Sequence, residues 1–96
     1  MKILAIEKDV EGVTDRDFAP HMKAEAKRAW ELYQSGVFRE MYFTKEDDPI
    51  AIIMMESDTV EDAQKALDTL PLVRAGLISF ELTPLVPYPG FARLFA

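Results

Sequence analysis

Cysteine is absent from this chain, which excludes disulfides, thiolate nucleophiles and cysteine-based zinc or iron–sulfur sites. Histidine is almost as scarce. His21 stands alone, so a multi-histidine metal site within one chain is excluded, whereas magnesium or calcium held by carboxylates is not. Basic residues are outnumbered, 11 Lys plus Arg against 17 Asp plus Glu, and the formal net charge of −6 repels a phosphate backbone. Nucleic-acid partners are therefore not expected. Long apolar runs are missing as well. "MKILAI" supplies one lysine and a short apolar stretch before Glu7, Lys8 and Asp9, too little for a secretory signal or a membrane span. No basic amphipathic helix suited to a membrane surface occurs either, so no membrane partner is expected and the sequence reads as cytoplasmic. A phosphate-cradling glycine loop and a nucleophile elbow are both absent.

What is present suits one small domain, residues 1–96, with no internal repeat and no low-complexity segment. A chain this short that is 49% hydrophobic has more apolar surface than one small core can hide, so a homodimer or higher homo-oligomer is expected.

The element order follows from spacing. "KILAIE" (Lys2 to Glu7) reads as a buried strand before the turn-like "KDVEGV". Thr14 and Asp15 are candidate caps for a long helix that runs to Ser35 and stops at Gly36, with Pro20 tolerated only in its first turn. "VFREMYF" (Val37 to Phe43) is an aromatic and β-branched strand, alternating Phe38, Glu40 and Tyr42 against Val37, Arg39, Met41 and Phe43. After the loop "TKEDDP", "IAIIMME" (Ile50 to Glu56) gives a central strand. "SDTVEDAQKALDTL" (Ser57 to Leu70) is a second helix with cap candidates Ser57, Asp58 and Thr59, Asp58 suited to a capping box with Glu61, and it is ended by Pro71. "LISFELTPL" (Leu77 to Leu85) is the last strand, and the apolar tail 86–96 is expected to dock on its own or a neighbouring subunit.

This order, β-α-β-β-α-β, together with right-handed crossovers, predicts an α+β, ferredoxin-like four-stranded antiparallel sheet with both helices on one face. Apolar residues on the other face would close a barrel against a second subunit's sheet.

One residue breaks the helical pattern. At about 100° per residue, Phe18, Met22, Ala26, Ala29, Trp30, Leu32 and Tyr33 form one apolar side, and Glu25 falls among them. A carboxylate there loses hydration and its pKa rises toward the range useful to a general base or acid. The structural alternatives are a carboxylate that merely pairs with Arg39 or another strand cation, or one that reaches out to water at the helix edge. His21 lies one turn earlier and could pass a proton with Glu25 as a second catalytic group, or be an edge histidine with no task. Arg39 could grip a substrate carboxylate, or form a salt bridge to Glu25, Glu56 or Glu81. Tyr42, Trp30 and Tyr33 could line a flat pocket for a ring, or simply build core or interface. Glu7, Glu56 and Glu81 end or punctuate strands and read as solvated rims, unless one of them reaches the pocket.

"LDTLPLVRAGLISFELTPLVPYP" (Leu67 to Pro89) carries a Leu-Pro-Leu after the second helix, then Ile-x-Phe-Glu-Leu-Thr-Pro-Leu and a proline-flanked aromatic. This segment resembles the muconolactone isomerase-like family of the dimeric α+β barrel superfamily. "MESDTVEDAQKALDTLPL" and "SGVFRE" extend the resemblance over most of the chain. It implies a ferredoxin-like protomer, dimers or larger rings, and a cofactor-free enzyme that moves a proton between carbons of a small unsaturated lactone. Glu25 matches a glutamate of the family's first helix and Arg39 the arginine of its second strand. The sequence departs from the family at Met22, where a lysine is expected, and at Tyr88-Pro89 in place of His-Pro. Two other readings stay open: a cofactor-independent monooxygenase of the same superfamily, and a non-catalytic ligand-binding or assembly module.

Overall fold

Alternation along the strands decides which face of a sheet each side chain takes, and here it produces one dry face and one half-wet face. The computed structural model describes residues 1–96. Its strands are β1 (Lys2–Asp9), β2 (Phe38–Phe43), β3 (Ala51–Glu56) and β4 (Ile78–Leu85), all antiparallel in the order β2-β3-β1-β4. Its helices are α1 (Asp15–Phe18), α2 (Met22–Gln34), α3 (Val60–Leu67) and α4 (Pro71–Arg74). They cover one face of the sheet, which is the ferredoxin-like arrangement that the element order predicts.

The register puts Ile3 opposite Met55 and Ala5 opposite Ile53. These four side chains join Phe38, Leu32 of α2, Ala63 and Leu67 of α3, and Leu70 in one buried cluster. The residues between them, Leu4, Ile6, Ile52 and Met54, point the other way and stay partly exposed. That second face carries the Lys8 to Glu81 ion pair at 2.8 Å, a pair too exposed to contribute much.

Local chemistry sets where elements begin and end. Asp17 accepts from the backbone nitrogen of Thr14 at 2.9 Å, and Asp58 with Glu61 is replaced as a cap by Thr59, whose hydroxyl accepts from the nitrogen of Asp62 at 3.0 Å. The expected single helix from Thr14 to Ser35 is interrupted. Pro20 has no N–H to donate, and the chain tightens into a 3-10 turn over Ala19–His21 before α2 starts. The second helix also ends earlier than its apolar stripe suggests, at Leu67, and α4 follows with Pro71 at its first position. Gly36 closes α2 at φ +85°. Its nitrogen donates to the carbonyl of Tyr33 and that of Val37 to the carbonyl of Leu32, both at 3.1 Å, which is a Schellman ending.

Two further departures from the sequence reading matter for the site. Phe38 pairs with Met55 and Glu40 with Met54, so a bulge at Arg39 shifts the phase of β2. Phe38 therefore shares the helix side with Met41 and Phe43, while Glu40 and Tyr42 face away. The tail, with a 3-10 turn over Gly90–Phe95, does not pack on its own core: Val86 is 84% exposed and Phe95 86%.

Candidate active site

The broad apolar side of α2 is only half used by the core. Leu32 is buried and Ala29 packs against the cluster, but Trp30 is 57% exposed and Tyr33 50%, with Met22 similar. These residues roof an open cleft of about 1260 Å³ whose floor is Met41, Phe43, Ala51 and Ile53 on the same side of the sheet. Trp30 and Tyr33 stack along the helix with ring centroids 5.7 Å apart and offer a flat wall to a ring-shaped ligand.

Glu25 sits in this cleft, half-buried. Its Oε1 accepts from the backbone nitrogen of Leu72 at 2.9 Å, so the first turn of α4 holds one carboxylate oxygen. No cation pairs with it. Burial is the largest influence on its acidity and raises the pKa above the usual 4.5. The Leu72 hydrogen bond opposes that, the charge of Glu7 adds to it, and His21 favours the anion slightly. The pairing with Arg39 that the sequence allowed does not form: Arg39 is exposed, and its charge is felt at Glu56.

The other candidate residues divide between places. Arg39, Trp30, Tyr33 and Tyr42 border the cleft, Tyr42 with its side chain turned outward. His21 is one helical turn from Glu25 but outside the cleft lining. Tyr42 lies at the strand edge, on the face opposite Glu25, where its hydroxyl donates to Oε1 of Glu40 at 2.8 Å; that bond pushes the phenol's pKa up. No three His, Asp or Glu side chains converge as a metal ion would require.

One of the three strand glutamates that read as solvated rim reaches the cleft instead. Glu7 shares its face of β1 with Ile3 and Ala5, so it points under the helices and not into solvent. Its Oε1 accepts from the nitrogen of Ala51 at 3.0 Å, and burial raises its pKa, with the Ala51 bond opposing and Asp9 adding. The i, i+2, i+4 parity of strand one contained this signal. Glu56 and Glu81 do occupy the exposed rim, paired with the Met1 amino group and with Lys8, and both pKa values are lowered by those partners.

These shifts predict a pH dependence of stability. A carboxyl whose folded pKa is raised binds its proton more readily in the folded chain. Glu7 and Glu25 therefore add stability that is complete below about pH 4.5 and lost as the pH rises through their folded values. Glu56 and Glu81 act in the opposite sense: their contribution is present at neutral pH and fades as the pH falls through their lowered values. Urea midpoints of the wild type and of the double variant Glu7→Gln, Glu25→Gln should diverge as the pH rises above about 4.5, the variant gaining relative to the wild type. A constant difference over that rise would mean that neither carboxyl is perturbed.

No family model matches the sequence, and no curated protein matches it. Solved structures do match the fold. A 5-chloro-2-hydroxyhydroquinone dehydrochlorinase, TftG, from Burkholderia phenoliruptrix AC1100, in complex with 2,5-dihydroxybenzoquinone, superposes with a TM-score of 0.73 at 15% identity, over 94% of this chain and 98% of its own. Muconolactone isomerase superposes with a TM-score of 0.70 at 17% identity, over 93% of this chain and 92% of its own. No helix here is long and apolar enough to cross a membrane. The chain thus has the muconolactone isomerase-like α+β fold.

Proposed function

We propose that the protein catalyses cofactor-independent proton transfer on a small unsaturated lactone or related carbonyl compound. A half-buried carboxylate without a cation, set in an apolar cleft, carries this reading. Glu25 takes a proton from the carbon beside the carbonyl, and the electron pair moves onto oxygen. Arg39, at the rim, holds an oxygen at the ligand's far end, and the Trp30 and Tyr33 stack packs against the ring. His21, one helical turn before Glu25, assists in returning the proton to the ligand. The fold shared with an isomerase and a dehydrochlorinase is consistent with chemistry on small rings.

The test is exchange in heavy water. Unsaturated lactones and cyclic enones incubated with the protein in D2O should gain deuterium beside the carbonyl, read by NMR. If none exchanges while electron-rich phenols consume oxygen, the monooxygenase reading replaces this one. If neither happens, a non-catalytic ligand-binding role remains.

We also propose that the working form is a homodimer or larger ring. The protomer exposes 7090 Å², against about 5600 Å² for a compact monomer of this mass. Its radius of gyration is 15.5 Å, against about 12.5 Å for a compact chain of this length. The exposed tail and the half-wet sheet face supply apolar surface for a second copy. Sedimentation as a monomer at micromolar concentration would refute this.

A further inference from the structure

The cleft holds a second carboxylate that the mechanism above does not use. Glu7 rises from β1 and Glu25 descends from α2 into the same space. Each has its Oε1 fixed by a backbone N–H from a different wall, Ala51 of β3 for Glu7 and Leu72 of α4 for Glu25. Neither has a cation partner. In both groups Oε1 is the only atom engaged by the protein, so the second oxygen of each is available to a ligand. The two groups are close enough for the charge of Glu7 to disfavour the Glu25 anion.

We propose that Glu7 is a second catalytic residue, the proton donor that complements Glu25, and that the pair serves an uncharged ring compound and not a carboxylate. The idea rests on the proton-transfer reading and assigns its missing acid. Two carboxyls that face one apolar cleft from different walls, each with one oxygen held and one open to a ligand, can serve one ring as base and acid. In the forward step the C–H bond beside the carbonyl breaks, its proton goes to the carboxylate, and the electron pair delocalises over the conjugated system. The carboxylic acid then gives its proton to the carbon at the far end of that system, where the electron pair forms the new C–H bond. The double bond has moved, nothing is oxidised or reduced, and the two carboxyls exchange protons with water to reset.

The surroundings favour an uncharged ligand. Five carboxylates on the helix side of the sheet border the cleft: Glu7 and Asp9 of β1, Asp15 of α1, Glu25 of α2 and Asp48 of the β2–β3 loop; Glu40 of β2 also borders it but turns its side chain to the other face. The sole cation there is Arg39. Only the Leu72 N–H and His21, which lies outside the lining, favour the Glu25 anion. A ligand anion entering this field meets repulsion from most directions, whereas a neutral lactone, enone or hydroxylated ring meets apolar walls and hydrogen-bonding oxygens.

The pair is tested by titrating the protein with 13C-labelled glutamate carboxyls, in the wild type and in Glu7→Gln. The glutamine keeps an acceptor for the Ala51 N–H, and the spectrum itself reports whether the variant is folded. Glu25 should titrate at a lower pH in Glu7→Gln, while Glu81→Gln, on the other face, leaves it in place. An unmoved Glu25 midpoint, or one moved equally by Glu81→Gln, overturns the pairing whatever the activity. Binding of cyclohexenone and of cyclohexenecarboxylate at neutral pH tests the ligand class: the neutral ring should bind at least tenfold more tightly, and equal or tighter binding of the carboxylate overturns it. Should Glu25 shift as expected while no carbonyl compound exchanges deuterium, the pair stands and the proton-transfer reading falls.

Discussion

Replacing Glu25 by glutamine is expected to slow deuterium exchange on a responsive lactone or enone by a factor of roughly 10² to 10⁴, the usual contribution of a positioned general base. That corresponds to about 3 to 5 kcal/mol of lost transition-state stabilisation. The substitution is close to isosteric, and the amide oxygen can still accept from the Leu72 nitrogen that now meets Oε1. The fold should therefore survive, and the ligand should still bind against Trp30 and Tyr33, so the loss falls on kcat more than on KM. A variant that keeps full exchange activity would remove Glu25 from the chemistry. A loss confined to KM would make it a binding group instead.

The second large effect concerns stability. Phe38 is 1% exposed, the largest of the fully buried side chains, and it plugs the core at the start of β2. Truncation to alanine is expected to cost about 3 to 5 kcal/mol. A domain of this size has only about 5 to 15 kcal/mol in total, so Phe38→Ala should lie near the edge of unfolding in a urea titration. The effect should reach the cleft as well. Phe38 sits beside the bulge that brings Met41 and Phe43 to the helix side, so loosening it frees the cleft floor to slip by one residue. Phe43→Ala, 71% exposed on that same floor, should cost far less stability. Equal losses from the two substitutions would contradict the assigned core.

The fold was legible in the sequence because its signals are periodic. The four strands, the caps at Thr14 and Thr59, and the glycine stop at Gly36 are each stated by local chemistry, and connection rules leave one topology. Glu25 was legible for the same reason, as a polar residue out of phase on an apolar helix side. What the pattern could not show is the gap under that side. A period identifies which residues turn away from water, not whether their partners fill the space, so Trp30 and Tyr33 read equally well as core or as cleft wall. The bulge at Arg39 was invisible because strand alternation is a counting argument, and one inserted residue exchanges the faces of everything before it. Tyr42 and Glu40 are on the far side of the sheet for that reason. Glu7 is legible through the strand parity that ties it to Ile3 and Ala5, which outweighs its place at the strand end, where a carboxylate by itself reads as a solvated rim.

The measurement that bears most directly on the account is the titration of the Glu25 carboxyl in the wild-type protein, followed by 13C NMR with the resonance assigned through Glu25→Gln. Desolvation in an unfilled cleft with no cation alongside predicts a midpoint above the usual 4.5. A midpoint at or below that value would mean that water or a positive charge reaches the group freely, and the sheltered base on which the proposed chemistry depends would not exist.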